Sequence, residues 1–321
     1  MKINVIGGSG FLGSHLLRKL KTSYQLSNLD KNPSVEYNDI TSIGNICNID
    51  DIRKNIGEPD FVVLLAAEYK DDVFPRKLYY DVNVEGTRNV LKVMEEKGLN
   101  KIIFTSSVSI YGLNRDNPDE EATQDPFGDY GISKWQGELI LREWYNNDPQ
   151  NRTLIIIRPT VIFGPGNTGN VYNLLKQIAV GRFIRIGPGN NKKSMSFVEN
   201  VAGFLKYLLD KNYTGYHLFN YADKPDYSMN ELIAASEKSI NRKIPMLRVP
   251  YFLGYLGGLT FDVITRLTGK KFRINSVRVK KFCANTQFNS NKMLATGYIP
   301  SYKLDDGLDI TIKSIIKNTA K

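Results

Sequence analysis

The fold this sequence predicts is α/β: a doubly wound parallel sheet followed by a smaller C-terminal lobe. Three observations carry that expectation. The chain opens on a strand-like run, a glycine-rich turn and an amphipathic stretch, MKINVIGGSGFLGSHLLRKL. The next apolar run ends on an acidic residue, Asp30. Further Val/Ile/Leu runs then recur with helix-like segments between them, as strands buried on both faces of a parallel sheet require.

Taken in order, the strand-type runs are Ile3–Ile6, Gln25–Leu29, Phe61–Leu65, Lys101–Thr105 and Leu154–Ile157. Helices are expected over 11–21, 50–56, 76–97, 130–147 and 170–180. In the first, Phe11, Leu12, Leu16, Leu17 and Leu20 recur at helical spacing. Beyond Phe163 the pattern loosens into GPGNTGN and IGPGNNKKS, loops that suit a lobe closing over a ligand. Residues 197–210 read as a helix returning to the first domain, and 216–220 as a further strand. The expected division is 1–163 plus 194–222 for the nucleotide-binding domain, and 164–193 plus 223–321 for the substrate lobe. No internal repeat is present.

The opening glycines fall at Gly7, Gly10 and Gly13, with Gly8 between. A strand, a tight turn and a helix N-terminus together aim backbone N–H groups and the helix dipole at a diphosphate. Gly7 permits the turn, Gly10 lets phosphates approach, and Gly13 lets helix and strand pack. Asp30, about 20 residues on, suits the ribose hydroxyls of NAD and repels a 2′-phosphate. Lys31 beside it leaves NADP open, and NAD is the reading adopted. The pattern is that of a Rossmann-like dinucleotide site.

Tyr130 and Lys134 stand four apart in YGISK, on one face of a helix. A free tyrosine titrates near pKa ~10. A neighbouring ammonium favours the phenolate, which then serves as a base toward a carbinol. Alone, this spacing equally describes a solvated helix edge.

With these residues in view, the chain resembles the extended short-chain dehydrogenase/reductase family, in its nucleotide-sugar epimerase and dehydratase branch. The markers run nearly end to end: GGSGFLG at 7–13, Asp30, LLAA at 64–67, NVEGT at 83–87, TSSVSIYG at 105–112, YGISK at 130–134, RPTVIFGPG at 158–166 and FVENVA at 197–202. The resemblance implies that Ser107 orients the reacting hydroxyl, Tyr130 is the acid/base and Lys134 holds the nicotinamide ribose. It places Asn45 and Ile46 along the adenine, Leu65, Ala66 and Ala67 by the pyrophosphate, and Asn83 below the nicotinamide half. Pro159 and Thr160 fall by the carboxamide; Phe11, Leu12 and Ser106 complete the implied cofactor set. Three positions depart from the family pattern: Leu64 and Phe197 replace histidines, and Asn45 replaces an aspartate.

The stretches LLAAEYKDDV, LYYDVNVEGTRNV, GNVYNLLKQIA, NYADKPDYSMNEL and VRVKKFCANTQF resemble a narrower group. It comprises 4-epimerases of N-acetylglucosamine carried on undecaprenyl diphosphate, used in O-antigen assembly. That resemblance implies a sugar diphosphate substrate, with Asn170 and Val171 near the diphosphate and Lys193 and Arg278 neutralising it. Thr286 is the small residue that admits the N-acetyl group. For Lys193 and Arg278 plain surface charge is the rival reading. A soluble UDP-sugar substrate, a 4-ketoreductase that consumes NAD(P)H once, and a non-catalytic NAD-binding regulator are the alternatives. The acidic pair usual in dehydratases is replaced by Val108 and Ser109, which disfavours dehydration.

At 321 residues with 41% hydrophobic content the chain supports a large core. Cys47 and Cys283 have no metal-ligand spacing, no metal site is expected, and both are read as buried, reduced thiols. No run approaches the ~18–20 apolar residues of a membrane span, and the N-terminus lacks a signal-peptide pattern. The formal charge of +10 asks for an acidic partner. No nucleic-acid reader motif accompanies it, so nucleic acid is not expected. Basic residues cluster at Arg266, Lys270, Lys271, Arg273, Arg278, Lys280 and Lys281, just after an apolar stretch at 249–264. Such a pair is the pattern of an interfacial helix on an anionic membrane; burial of 251–264 against the sheet is the competing reading. A cytoplasmic enzyme, peripheral on the inner membrane through 249–281, is expected. The resemblance also implies a homodimer through helices near 83–97 and 130–147, burying Trp135 and Leu139.

Overall fold

The computed structural model describes residues 1–319 except 71–72, 168, 182, 245–246 and 270–274. Lys270, Lys271 and Arg273 of the basic cluster therefore lie outside the described residues. In chain order the first half comprises β1 (Lys2–Ile6), α1 (Phe11–Leu20), β2 (Gln25–Asp30), β3 (Thr41–Ile43), α2 (Ile49–Asn55) and β4 (Phe61–Leu64). Then come α3 (Lys77–Tyr80), a π-turn (Asp81–Glu85), α4 (Gly86–Glu96), β5 (Lys101–Thr105), α5 (Asp129–Asn147), β6 (Thr153–Pro159) and β7 (Val161–Phe163). The second half carries α6 (Asn170–Ala179), β8 (Ile184–Ile186), β9 (Lys192–Phe197), α7 (Val198–Asp210), β10 (Tyr216–Tyr221), β11 (Asp223–Ser228) and α8 (Met229–Ile240). It ends with β12 (Leu247–Val249), α9 (Tyr251–Thr268), α10 (Ser276–Cys283), α11 (Asn291–Leu294) and α12 (Leu304–Thr319).

Seven strands form a parallel sheet in the order β10-β6-β5-β4-β1-β2-β3. The order reverses between β1 and β4, where an open α/β sheet leaves a crevice at its carboxyl ends. Alternation along each strand divides the core in two. Ile3, Val5, Phe61, Val63, Ile103, Ile155 and Ile157 face α1 and α7. Ile6, Val62, Leu64, Ile102, Phe104, Leu154 and Ile156 face α2, α4 and α5. The five strand-type runs and the helices of this half fall where their periodicity places them. The expected helix over 76–97 is continuous from Lys77 to Glu96, with the π-turn as a widened segment within it.

The remainder assembles from shorter pieces: the three-stranded sheet β11-β9-β7 and the parallel pair β12-β8. Helices α6, α8 and α12 close over a third cluster that includes Phe163, Leu175, Phe197, Leu232 and Leu308. Phe197, standing where the family has histidine, fills this core. It packs edge-on against Tyr302 at 5.3 Å, and a Cβ on Gly307 would lie 2.7 Å from its ring. Leu64, the other replaced histidine, is buried on β4. Met293 and Tyr298, far along the chain, pack into the first cluster beside α7.

Two expectations are corrected here. The cysteines are not buried: Cys47 is exposed and Cys283 half-buried, both free. The apolar segment does not bury against the sheet either. In α9 only Gly258 is buried, while Phe252 (61%), Leu256 (49%), Val263 (56%) and Leu267 (79%) face outward. The helix is seated by a glycine stripe. A Cβ on Gly258 would meet Ser276 at 2.8 Å, and one on Gly254 would meet Ile186 at 2.5 Å. Close approach through two glycines leaves the large side chains on the opposite, unpacked side. Among the described residues no helix is long and apolar enough to cross a membrane.

Candidate active site

The glycine turn lies at the crevice between β1 and β4. Gly7 has φ +92°, the left-handed region, and a Cβ there would sit 2.5 Å from the Ala66 nitrogen. A Cβ on Gly13 would lie 2.5 Å from the Gly7 carbonyl and from Gly8 Cα, so α1 packs directly on the turn. At Gly10 a Cβ would meet only the Gly7 oxygen, at 3.3 Å, leaving the turn's mouth open. No side chain caps the first turn of α1, whose N-cap is Gly10. Free first-turn N–H groups at an open glycine turn form an anion site. Phe11 and Leu12 supply two of those groups and send their rings and methyls toward the core clusters.

Asp30 is buried at the end of β2. One carboxylate oxygen accepts from Ser9 N at 3.0 Å, the other from Asn32 N at 2.9 Å. Each oxygen keeps a further lone pair for a ribose hydroxyl. Asn28, two residues earlier on the same strand face, was missed by the sequence reading. Its amide oxygen accepts from Gly8 N at 2.8 Å, and its amide nitrogen donates to Ser9 Oγ at 3.1 Å. The two side chains hold the turn from below.

Across the switch point, Leu65 N and Ala66 N both donate to the Ile6 carbonyl, at 2.8 and 2.9 Å, and Ala67 follows half-buried. Ile46 is buried under α4, while Asn45 N donates to Asp51 and its side-chain oxygen accepts from Cys47 N. Asn83 is fully engaged: its amide exchanges bonds with Glu68 N (2.8 Å) and Glu68 O (3.0 Å) and donates to Ser133 Oγ at 2.9 Å. It thus clamps the loop after β4 to α5, the helix of Tyr130 and Lys134. Pro159 ends β6, and Thr160 Oγ1 shares a 2.6 Å hydrogen bond with Ser196.

The three residues expected to act lie around α5 and the end of β5. Ser107 follows β5; its Oγ accepts from Ser109 N at 3.1 Å and donates to Ser109 Oγ at 3.0 Å. The first turn of α5 presses on that same turn, since a Cβ on Gly131 would lie 2.7 Å from the Ser109 carbonyl. Tyr130, half-buried, has its ring 6.5 Å from that of Tyr79. Lys134 is 2% exposed, its ammonium 4.1 Å from the centre of the Phe104 ring. Burial pulls its pKa down to about 7, and Glu138 one turn on pulls the other way. Among the described residues the ring of Phe104 is its near neighbour and no hydrogen bond holds it. Just after β5, Ser106 Oγ is buried without a partner. Open glycine turn, carboxylate, unspent ammonium and orphaned hydroxyl fit a dinucleotide laid from α1 across the ends of β1, β4 and β5.

Behind α5 is a buried ion pair that no spacing rule finds. Arg158 on β6 donates to both Glu138 oxygens, at 2.9 and 2.6 Å, and both side chains are fully buried. Arg158 also donates to Tyr111 Oη at 2.6 Å, which donates to Asn220 at 2.8 Å. The pair ties the catalytic-helix candidate to the sheet.

On the substrate side, Lys193 is half-buried on β9. Its ammonium donates to the Ala284 carbonyl at 2.7 Å and the Lys281 carbonyl at 3.0 Å, at the end of α10. Burial draws its pKa down to about 8. Lys193 also bridges to Thr286 through the backbone, which brings these two expected residues together, and Arg278 lies in the first turn of α10. Simple surface charge does not describe Lys193. Asn170 begins α6, while Val171 is buried in the core beneath it.

Comparison with known proteins identifies the chain's family and fold. Residues 3–222 match the model of the NAD dependent epimerase/dehydratase family. The chain is 54% identical, over 96% of its length and 93% of the relative's, to N-acetyl-alpha-D-glucosaminyl-diphospho-ditrans,octacis-undecaprenol 4-epimerase of Escherichia coli O157:H7. It is 28% identical to UDP-glucose 4-epimerase of Vibrio cholerae, over 83% of this chain and 85% of that one. Among solved structures, UDP-glucose 4-epimerase from Bifidobacterium longum, in complex with NAD+ and UDP, superposes with a TM-score of 0.78. The identity there is 22% and the coverage 99% of both chains, which speaks for the fold.

Proposed function

The chain belongs to the NAD dependent epimerase/dehydratase family, and from that premise we propose that it interconverts N-acetylglucosamine and N-acetylgalactosamine at C4 while the sugar is carried on undecaprenyl diphosphate. The product would enter surface polysaccharide assembly. The observation that carries this reading is the near-full-length kinship with the Escherichia coli epimerase, joined to a site whose residues suit the chemistry.

NAD is the cofactor, and when bound it takes the C4 hydride and gives it back. Tyr130, as phenolate, removes the O4 proton as C4 becomes a ketone and returns it once the opposite face is presented. Ser107 Oγ holds O4 in line, and the Lys134 ammonium lowers the cost of the phenolate. Lys193 and Arg278 grip the diphosphate as a pivot about which the 4-keto sugar turns, since charge-assisted donors replace the water it sheds. Thr286, beside Lys193, leaves room for the N-acetyl group.

The α9 surface supports a lipid-borne substrate. Its outward Phe252, Leu256, Val263 and Leu267 form an exposed apolar face with Arg266 at its end and Lys280 on the adjoining α10. Such a face, flanked by cations, suits the plane of an anionic leaflet. We assign to it a peripheral seat on the cytoplasmic side of the membrane. Leu139 is exposed on α5 with Trp135 half-buried nearby; that face suits a homodimer, which light scattering would read as twice the 36.4 kDa chain.

A side-by-side assay decides the substrate. Vesicles holding the lipid-linked sugar should be turned over, and protein should float with phosphatidylglycerol vesicles, less so at high salt; Leu256→Glu should stay behind. Turnover of UDP-N-acetylglucosamine with none of the lipid-linked sugar contradicts the assignment.

A further inference from the structure

A second cationic site lies on the small lobe, apart from every residue placed at the active site. Between α8 and the strand pair β8-β12 is an open cleft of about 630 Å³. Arg185 and Arg248 line it together with Asn230, Glu237 and Lys243.

The two arginines are partners in register on neighbouring parallel strands. Paired positions of adjacent strands point to the same face, with backbones about 4.8 Å apart. Like charges so placed repel, and Arg248 indeed draws the Arg185 pKa down, after the larger effect of burial. Among the described residues no carboxylate pairs with either guanidinium. The cleft's one carboxylate, Glu237, is spent on Ile244 N at 2.9 Å and Lys243 Nζ at 3.3 Å. Arg185 is 9% exposed, and its single bond, from Nη1 to Asn230 Oδ1 at 2.6 Å, leaves Nε buried without a partner. A like-charged pair with one member buried and an unspent donor is costly until an anion arrives.

We propose that this cleft binds a phosphoryl group, with Arg185 and Arg248 as its two forks. Guanidinium forks match phosphate oxygens two at a time. A free phosphate and a phospholipid headgroup share that chemistry. Strand β12 runs through Pro250 straight into α9, so the cleft stands at the root of the apolar helix. Occupancy of the cleft does not depend on which sugar the active site takes.

The test uses the NAD-loaded protein, inorganic phosphate by calorimetry, and flotation with phosphatidylglycerol or phosphatidylcholine vesicles. Arg248 is exposed, so Arg248→Gln keeps the fold, and it should weaken phosphate binding on the order of tenfold with turnover unchanged. Arg185→Lys, which keeps the charge and loses the fork, should weaken it as well. If anionic flotation falls in parallel, the occupant is a headgroup; if phosphate binding alone falls, it is a soluble phosphoryl compound. Equal phosphate binding by wild type and Arg248→Gln, or none by wild type, overturns the site. So does binding that vanishes in Lys193→Gln and persists in Arg248→Gln.

Discussion

Tyr130→Phe is expected to lower turnover by about 10²–10⁴-fold, the usual worth of a positioned acid/base group, while NAD binds as before. The substitution removes one oxygen and keeps the ring that packs near Tyr79. The glycine turn and Asp30 stand at β1, α1 and β2 rather than on α5, so the substitution leaves the cofactor's anchors in place. Steady-state assays alongside an NAD titration read the two effects separately. A variant that turns over within tenfold of wild type removes the proposed base. Loss of NAD binding would instead make Tyr130 a structural post of the cofactor cleft.

Arg158→Leu should cost about 3–5 kcal/mol of stability, because it strands a buried carboxylate. Glu138 is fully enclosed, with Arg158 as its bidentate partner and Arg142 reaching one oxygen at 3.4 Å. Replacing both members with leucine should recover most of the loss, since a buried pair and an apolar pair of like volume are often equivalent. Denaturant midpoints of the two variants decide the point. The single variant should also blunt turnover, as Lys134 and Tyr130 lie one and two turns before Glu138 on α5. A single variant within 1 kcal/mol of wild type would show that the ion pair does not anchor the helix.

The first half of the fold was legible because its information is local. Buried parallel strands announce themselves as apolar runs, and the glycines at 7, 10 and 13 have few conformations open to them. The small lobe is otherwise. Strands β7, β8 and β12 have three residues each and exist through pairings such as Ile184 with Leu247, which no window of sequence contains. The edge strand β3, TSI, is too short to show a period. Composition alone left α9 undecided between core and interface; the glycines at 254 and 258 exclude the core by seating the helix on its narrow side.

In the active site, residues on a shared helix or turn were readable, and residues joined across space were not. Tyr130 and Lys134 are one helical turn apart. Asn83 reaches Ser133 from 50 positions away, and Arg158 reaches Glu138 from 20. Asn28 carried a signal that alternation offers, since it lies two residues before Asp30 and so on the same strand face.

The claim at the centre is that one hydride leaves C4 and comes back to it without leaving the site. Lipid-linked N-acetylglucosamine deuterated at C4 tests it directly. The account predicts N-acetylgalactosamine product with the deuterium still at C4 and no net formation of NADH. Label lost to solvent, or NADH released in step with product, contradicts it.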